Sequence, residues 1–391
     1  MKFGVFIAPN HTPGQNPALA LQDDLEFIQH LDRLGFDEAW IGEHHSGGWE
    51  IVSSPEVFIA TAAERTRRIR LGTGVLSLPY HHPLILADRM VLLDHLTGGR
   101  VMLGVGPGAL VTDARMMGLD PNCLRLRLEE GLEAVVRLLT TDEPVTMKTD
   151  WFELHEARLQ IAPVQRPCFE IAVASVRSPA GPLLAGRHGL GLLSIAAGES
   201  GFDFLGESWR LVQERAARHG HLVDRSRWRL VTTIHVARSV EQAREETRPG
   251  LREYYKYVAT GPFRLAHPEP WNLPHETLVD GMNAGGTAAI GTPEMAIAAI
   301  RKLQAQSGGF GTLLLGSHDW ADRDAKFRSF ELFAREVMPE FQGSASRTRA
   351  AWDEHWRSRE RDAAEFRAAQ DVIIERHRAE QAGKGGGGWT T

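Results

Sequence analysis

Two histidine pairs, His44-His45 and His81-His82, are the residues of this sequence with the widest chemical reach. Imidazole titrates near neutrality, so a histidine at a reacting centre moves protons at physiological pH. The first pair ends the segment Phe36–Ser46, where Ala39-Trp40-Ile41 between Gly35 and a polar tip reads as a buried strand. Neighbours on a strand face opposite sides, which gives His44 and His45 different roles. At the C-terminal end of a strand in a parallel barrel, His44 stands where such barrels keep their chemistry. The bland alternative is a packed, hydrogen-bonded histidine. Adjacent histidines diverge, and no Cys or paired carboxylates join them, so no metal site is expected.

A second set of residues suits an anion. Arg125 falls in the first turn of a helix, where a cation opposes the helix dipole unless it faces a negative group. Ser175 and Ser178 end a strand, with Ser178-Pro179 as N-cap and first helical position, so free N–H groups and a hydroxyl there suit a phosphate. Taken singly, each has a plain explanation as a cap or a solvated arginine. On adjacent loops they point together to phosphate. The turn Gly104-Val-Gly106-Pro-Gly108 lacks the spacing of a dinucleotide fingerprint and is expected to let backbone pass close to a flat ligand. No Rossmann unit occurs elsewhere, so a nicotinamide has no dedicated site.

The elements that must position these residues alternate strictly. Strands are predicted at Phe3–Ala8, the histidine segment, Ile69–Leu78, Val101–Val105, Phe169–Ala174, Leu190–Ile195, Arg229–Val236 and Gly311–Gly316. Helices lie between most of them, including Asn16-capped Pro17 onward, Pro55–Thr66, Pro83 to Gly98-Gly99, and Asn122–Leu139. Eight β/α units predict an α/β fold, a closed (β/α)8 TIM barrel over residues 1–340. A hairpin is expected as an insertion at 145–160, and residues 250–285, irregular and rich in Tyr, Pro and Gly, read as a lid or substrate loop. Residues 341–382 read as a helical extension of one or two helices, and 383–391 as a flexible tail.

Bulk properties narrow the classes further. The chain has 391 residues, 42% of them apolar, with a net charge of −6 and two cysteines. That composition fills a core, offers no basic patch for nucleic acid, and argues against a disulfide scaffold. With no leader and no membrane-length apolar run, a soluble cytoplasmic protein is expected.

The linked motifs Trp40-Ile-Gly-Glu-His-His45, Gly72-Thr-Gly-Val-Leu-Ser-Leu-Pro79, His82-Pro83, Gly99-Arg-Val, Arg125, Gly291-Thr-Pro-Glu and Gly309–Gly316 resemble, in order, the bacterial luciferase-like flavin-dependent monooxygenases. The resemblance spans about residues 1–340. Within that family, the Gly-Glu-His-His-Ser segment and the His81-His82-Pro83 loop look most like limonene monooxygenases. The resemblance implies reduced FMN at the barrel mouth and O2 as co-substrate. It makes His44 the active-site histidine that assists formation or breakdown of a flavin hydroperoxide. Thr73, Gly74 and Val75 match a bulge under the flavin ring, often with a cis peptide. Arg125, Ser175 and Ser178 match the phosphate site. Gly106 and Pro107 stand where luciferase has a reactive cysteine and an arginine, so light emission is not implied. Phe6, Leu76, His82 and Trp271 are candidates for the substrate lining or its support, with Val105, Tyr254 and Phe263 adding apolar surface. The implied partners are a small hydrophobic substrate, terpene-like among others, a separate NAD(P)H:flavin reductase and a second copy in a homodimer. A deazaflavin-dependent oxidoreductase or a non-catalytic flavin-binding protein are the alternatives on the same barrel.

Overall fold

Eight parallel strands close on themselves: β1 (Lys2–Asn10), β2 (Glu38–Ile41), β3 (Arg70–Thr73), β4 (Val101–Gly106), β5 (Glu170–Ser175), β6 (Gly191–Ile195), β7 (Trp228–Val236) and β8 (Thr312–His318). The ring is sealed by β8 against β1, with Lys2 opposite Thr312 and Phe6 opposite Gly316. This computed structural model describes the chain apart from residues 177, 197, 261–271, 287 and 385–391. Helices follow the strands and cover the barrel, as eight β/α units require. Among the described residues no helix is long and apolar enough to cross a membrane.

Local sequence explains where the elements begin and end. Helix Pro17–Leu34 opens with the Asn16 side chain accepting the Ala18 N–H, and Gly35, at φ 88°, closes it in the left-handed region. Helix Pro83–Leu96 likewise starts on proline and stops before Gly98 and Gly99, both at positive φ. The inserted hairpin pairs Val145–Lys148 antiparallel with Glu153–Ala157.

Several expectations need correction. The strand predicted over Ile69–Leu78 is two pieces, because the chain breaks at Gly74-Val75 and only Leu76–Ser77 resumes pairing, against Val105 and Gly106. The helix expected from Asn122 begins at Leu124, after a 3-10 turn over Pro121–Cys123. Much of the expected lid is regular: helices Leu251–Thr260 and His275–Ala284 occupy it, and residues 261–271 lie outside the described part. Leu251, Tyr254 and Tyr257 recur at helical spacing, and that period went unread because the aromatics suggested a binding loop.

Inside the barrel, Trp40 is fully buried with Met102, Ala172, Leu193, Val231 and Leu314 around it. The strands that approach the indole carry glycine: a Cβ on Gly72 would stand 2.7 Å from Trp40, and one on Gly74 2.8 Å. The flat group those glycines admit is therefore the protein's own tryptophan. Below it, at the N-terminal end, Arg229 (1% exposed) donates to Glu38 at 2.9 and 3.0 Å and also to Glu170. Trp40 Nε1 donates to the same Glu38 at 2.9 Å, and Arg70 reaches Glu170 at 3.1 Å. Above it, Phe6, Val75 and Ile195 are only partly buried and make an apolar floor at the C-terminal mouth.

The contacts divide the chain into Met1–Met338 and Pro339–Thr391. The second unit is dominated by one helix, Ser346–Lys384, of 39 residues, on which Trp352 stacks with Trp356 at 6.1 Å.

Candidate active site

The irregular tip that follows β2 carries both histidines of the first pair, and they take different partners. His44 points its Nδ1 to Asp113, 3.2 Å away, and its Nε2 to Glu50, 3.1 Å away. Both carboxylates are buried. Asp113 lies on a short helix, Val111–Met116, and also accepts from the His45 N–H at 3.2 Å and from the Ser46 hydroxyl. Glu50 accepts from the Tyr257 hydroxyl at 3.0 Å, and Trp49 stacks on the Tyr257 ring.

Burial works against a charge on His44, but Glu50, Asp113 and Glu43 together outweigh it and hold its pKa above the ordinary imidazole range. The reverse holds for Glu50, where burial dominates and pushes the carboxyl upward despite His44 and Tyr257. Burial also raises Asp113, yet its bonds to His44 and Ser46 prevail and lower it. Asp113 is thus held toward its charged form, while His44 and Glu50, both raised, act on each other through their charges. Such a pair can give a proton to a reacting group and take it back.

His45 turns instead to Glu43, at 3.0 Å, and Glu43 is a hub. Its fully buried carboxylate also accepts from His81 at 2.7 Å and from the Ser77 N–H at 2.6 Å. Burial tends to raise its pKa, but the two histidines pull it below the usual carboxylate range. The bond to Glu43 is in turn the main reason the His45 pKa is raised. This clasp ties the histidine tip to the segment just after Gly74-Val75, a peptide bond that is cis. Of the second histidine pair, His81 therefore joins the site. His82 is exposed, precedes helix Pro83–Leu96, and approaches Phe152 edge-on at 6.1 Å.

Other residues singled out from sequence fall at the floor or the anion end. Phe6 and Val75 line the floor, and Gly106 lies against Val75, where a Cβ would come within 2.7 Å. Thr73 is buried and its hydroxyl bridges to β4, donating to Gly104 O at 2.7 Å and accepting from Gly104 N–H at 2.9 Å. Leu76 is fully buried and can support the lining only from behind. Ser175 is buried at the end of β5, and its hydroxyl has no partner among the described residues. Ser178 accepts the Ala180 N–H at 3.2 Å, at the start of helix Ala180–His188. A buried hydroxyl lacking a partner beside a helix N-terminus suits an anionic group. Arg125 is exposed in the first turn of helix Leu124–Thr140. Trp271 and Phe263 lie outside the described residues.

Sequence reasoning missed Asp113, Glu50, Glu43 and Tyr257. Asp113 sits 69 residues from His44 on a six-residue helix too short to show a period. Glu43 alone was adjacent to the histidines in sequence.

A parallel barrel with a half-buried, carboxylate-flanked histidine at its C-terminal mouth is an enzyme scaffold. Residues 1–310 match the model of the luciferase-like monooxygenases, and the chain belongs to that family of oxidoreductases. It is 46% identical over 382 residues to limonene 1,2-monooxygenase of Rhodococcus erythropolis, with 97% of each chain covered. It is 47% identical over 359 residues to 4-hydroxyprotoasukamycin monooxygenase of Streptomyces nodosus subsp. asukaensis, covering 90% of this chain and 95% of that one. Among solved structures, the oxygenating constituent of 3,6-diketocamphane monooxygenase of Pseudomonas putida, a type II Baeyer-Villiger monooxygenase in complex with FMN, superimposes with a TM-score of 0.72. It is 26% identical, with 87% of this chain and 98% of that one covered.

Proposed function

We propose that this protein is an FMN-dependent monooxygenase acting on a small hydrophobic organic substrate, with His44 as its proton-transfer residue. The observation that carries the reading is His44 itself, held between Glu50 and Asp113 beside the apolar floor of Phe6, Val75 and Ile195. When bound in reduced form, FMN supplies the two electrons that activate O2, so that one oxygen atom enters the substrate and the other leaves as water. Thr73, Gly74, Val75 and Gly106 would hold the ring, and Ser175, Ser178 and Arg125 the phosphate. His44 and Glu50 would deliver and recover the proton at His44 Nε2, with Asp113 fixing the ring from Nδ1. The apolar floor keeps water from the reacting oxygen, which protects it from wasteful breakdown. Among the described residues no dinucleotide-binding unit joins the barrel, and we assign the reduced flavin to a separate NAD(P)H:flavin reductase and expect a homodimer.

The test is product formation from a cyclic terpene with chemically reduced FMN and O2, with a deazaflavin cofactor run in parallel. The native chain should oxygenate with FMN. His44→Asn should lower turnover by about 10²–10⁴-fold while FMN still binds. Undiminished turnover in that variant would return His44 to a packing role, and activity only with the deazaflavin would replace the cofactor. Full-rate oxidation with NADH alone would remove the reductase.

A further inference from the structure

A second polar cluster stands at the mouth, next to the His44 site, where the Asn10 backbone bridges to that of Glu50. Asn10 and His318 end β1 and β8 and lie opposite each other in register. The Asn10 amide nitrogen is 3.4 Å from His318 Nδ1, and His318 Nε2 is 3.1 Å from the Tyr254 hydroxyl and 3.4 Å from that of Thr233. The imidazole stacks on Tyr254, with centroids 4.1 Å apart, and folds back over Gly316, where a Cβ would stand 2.6 Å from Nε2. Gly316 is in register with Phe6, which belongs to the floor. The cluster therefore borders the same floor that we assign to flavin and substrate.

These groups do not satisfy one another. Asn10 is 5% exposed, yet its carbonyl oxygen has no partner among the described residues. The two ends of an amide are distinguished only by their bonding, so both orientations must be considered. Burial keeps His318 neutral, pushing its pKa down to about 3, so the ring offers one donor and one acceptor. If Nε2 carries the hydrogen, Nδ1 accepts from the Asn10 amide, and the Tyr254 O–H is left to find an acceptor. If Nδ1 carries it, the turned amide accepts with its carbonyl, Tyr254 donates to Nε2, and the Asn10 NH2 is left instead. Either way, one donor lacks an acceptor among the described residues. None of these side chains is charged. The charges felt by the cluster are the carboxylate of Glu50, acting on Tyr254, and the paired Asp319 and Lys326, acting on His318 with opposite signs, so among the described residues no net cation faces it to hold an anion.

We propose that Asn10, His318 and Tyr254 form a subsite that hydrogen-bonds an uncharged oxygen, a ketone carbonyl or an alcohol hydroxyl, on an otherwise hydrophobic substrate. The proposal rests on reading the mouth as the substrate's place, and it adds what the substrate must carry.

The test compares binding of methylcyclohexane and 4-methylcyclohexanone to the full-length protein, with and without oxidised FMN, by calorimetry. Partition from water alone favours the hydrocarbon. The native chain should instead bind the ketone about tenfold more tightly, the size of one hydrogen bond made to a buried group. Asn10→Leu should bring that ratio toward one. Tyr254→Phe, which keeps the stacked ring, should lower it too and decides the matter if Asn10→Leu does not fold. Equal binding to the native chain, or a ketone preference undiminished in both variants, overturns the subsite. Failure of the flavin reading shows separately, as absent FMN binding with the ketone preference still measurable in the flavin-free protein.

Discussion

The two ends of the barrel treat buried polar groups in opposite ways. At the N-terminal end, Arg229, Arg70, Glu38 and Glu170 are matched to one another, and Trp40 adds a donor. At the C-terminal mouth, Asn10, Tyr80 and Ser175 each bury a polar atom that meets no partner among the described residues. Native interiors satisfy nearly all such atoms, so a group of them at one end marks where the protein expects something it does not itself contain. The Thr312 hydroxyl breaks the pattern at the closed, N-terminal end, and further atoms without a hydrogen-bond partner among the described residues, those of His30, His188 and Arg215 among them, lie on the surrounding helices.

The strongest way to break this comparison is Arg229→Met. The change strands Glu38, fully buried, and Glu170 without their main counter-charge. Losing one partner of a buried ion pair destabilises by about 3–5 kcal/mol. Guanidinium unfolding should therefore shift strongly to lower denaturant. An unshifted midpoint would mean that the closed end is not what stabilises the barrel.

A smaller effect separates the ends by pH. Burial alone would raise Glu170, but Arg229 and Arg70 pull it down from 4.5 to about 2. Its contribution is present above about 4.5 and is lost as the pH falls toward 2. On the mouth side, burial opposes charge on His11, but Asp24 and Asp319, each at 2.9 Å, raise it from 6.5 to about 9. That stability is fully present below 6.5 and is lost as the pH rises through 9. His44, also raised, adds in the same direction. Unfolding free energy should fall by about 2 kcal/mol between pH 6.5 and 9. His11→Gln should flatten the slope; an equal slope in that variant would assign it to other groups.

The contrast also explains what could be read in advance. Eight-fold alternation is a local pattern of apolar runs, caps and glycines, so the barrel and the position of His44 were legible. His44 and His45 do take different partners, but they lie beyond the end of β2, so the strand period that suggested it does not apply there. The partners of His44 were not legible: Asp113 meets it only through tertiary closure, and Glu50, six residues on in the same loop, carries no pattern that marks it. His82 was preferred to His81 for a similar reason: nothing in the sequence says which of two adjacent rings will meet Glu43. The turn from Gly104 to Gly108 was read as a place of close approach, and its neighbours there, Thr73 and Trp40 at Gly104, Val75 at Gly106 and Tyr80 at Gly108, appear only in the folded interior.

The subtlest test compares two unpartnered hydroxyls, Ser175 at the mouth and Thr312 at the closed end. Both are buried, with 5% and 0% exposure, and neither makes a hydrogen bond among the described residues. Removing either hydroxyl deletes no internal bond, so Ser175→Ala and Thr312→Val should each change stability by no more than about 0.5 kcal/mol. Their effects on FMN should differ. Ser175 ends β5 beside the helix whose first N–H groups suit a phosphate, whereas Thr312 begins β8 in register with Arg229. Fluorescence titration should show FMN bound about tenfold more weakly by Ser175→Ala and unaltered by Thr312→Val. If both variants bind FMN like the native chain, an unsatisfied hydroxyl at the mouth means no more than one at the closed end, and the phosphate must be held by Ser178, Arg125 and the helix N–H groups alone.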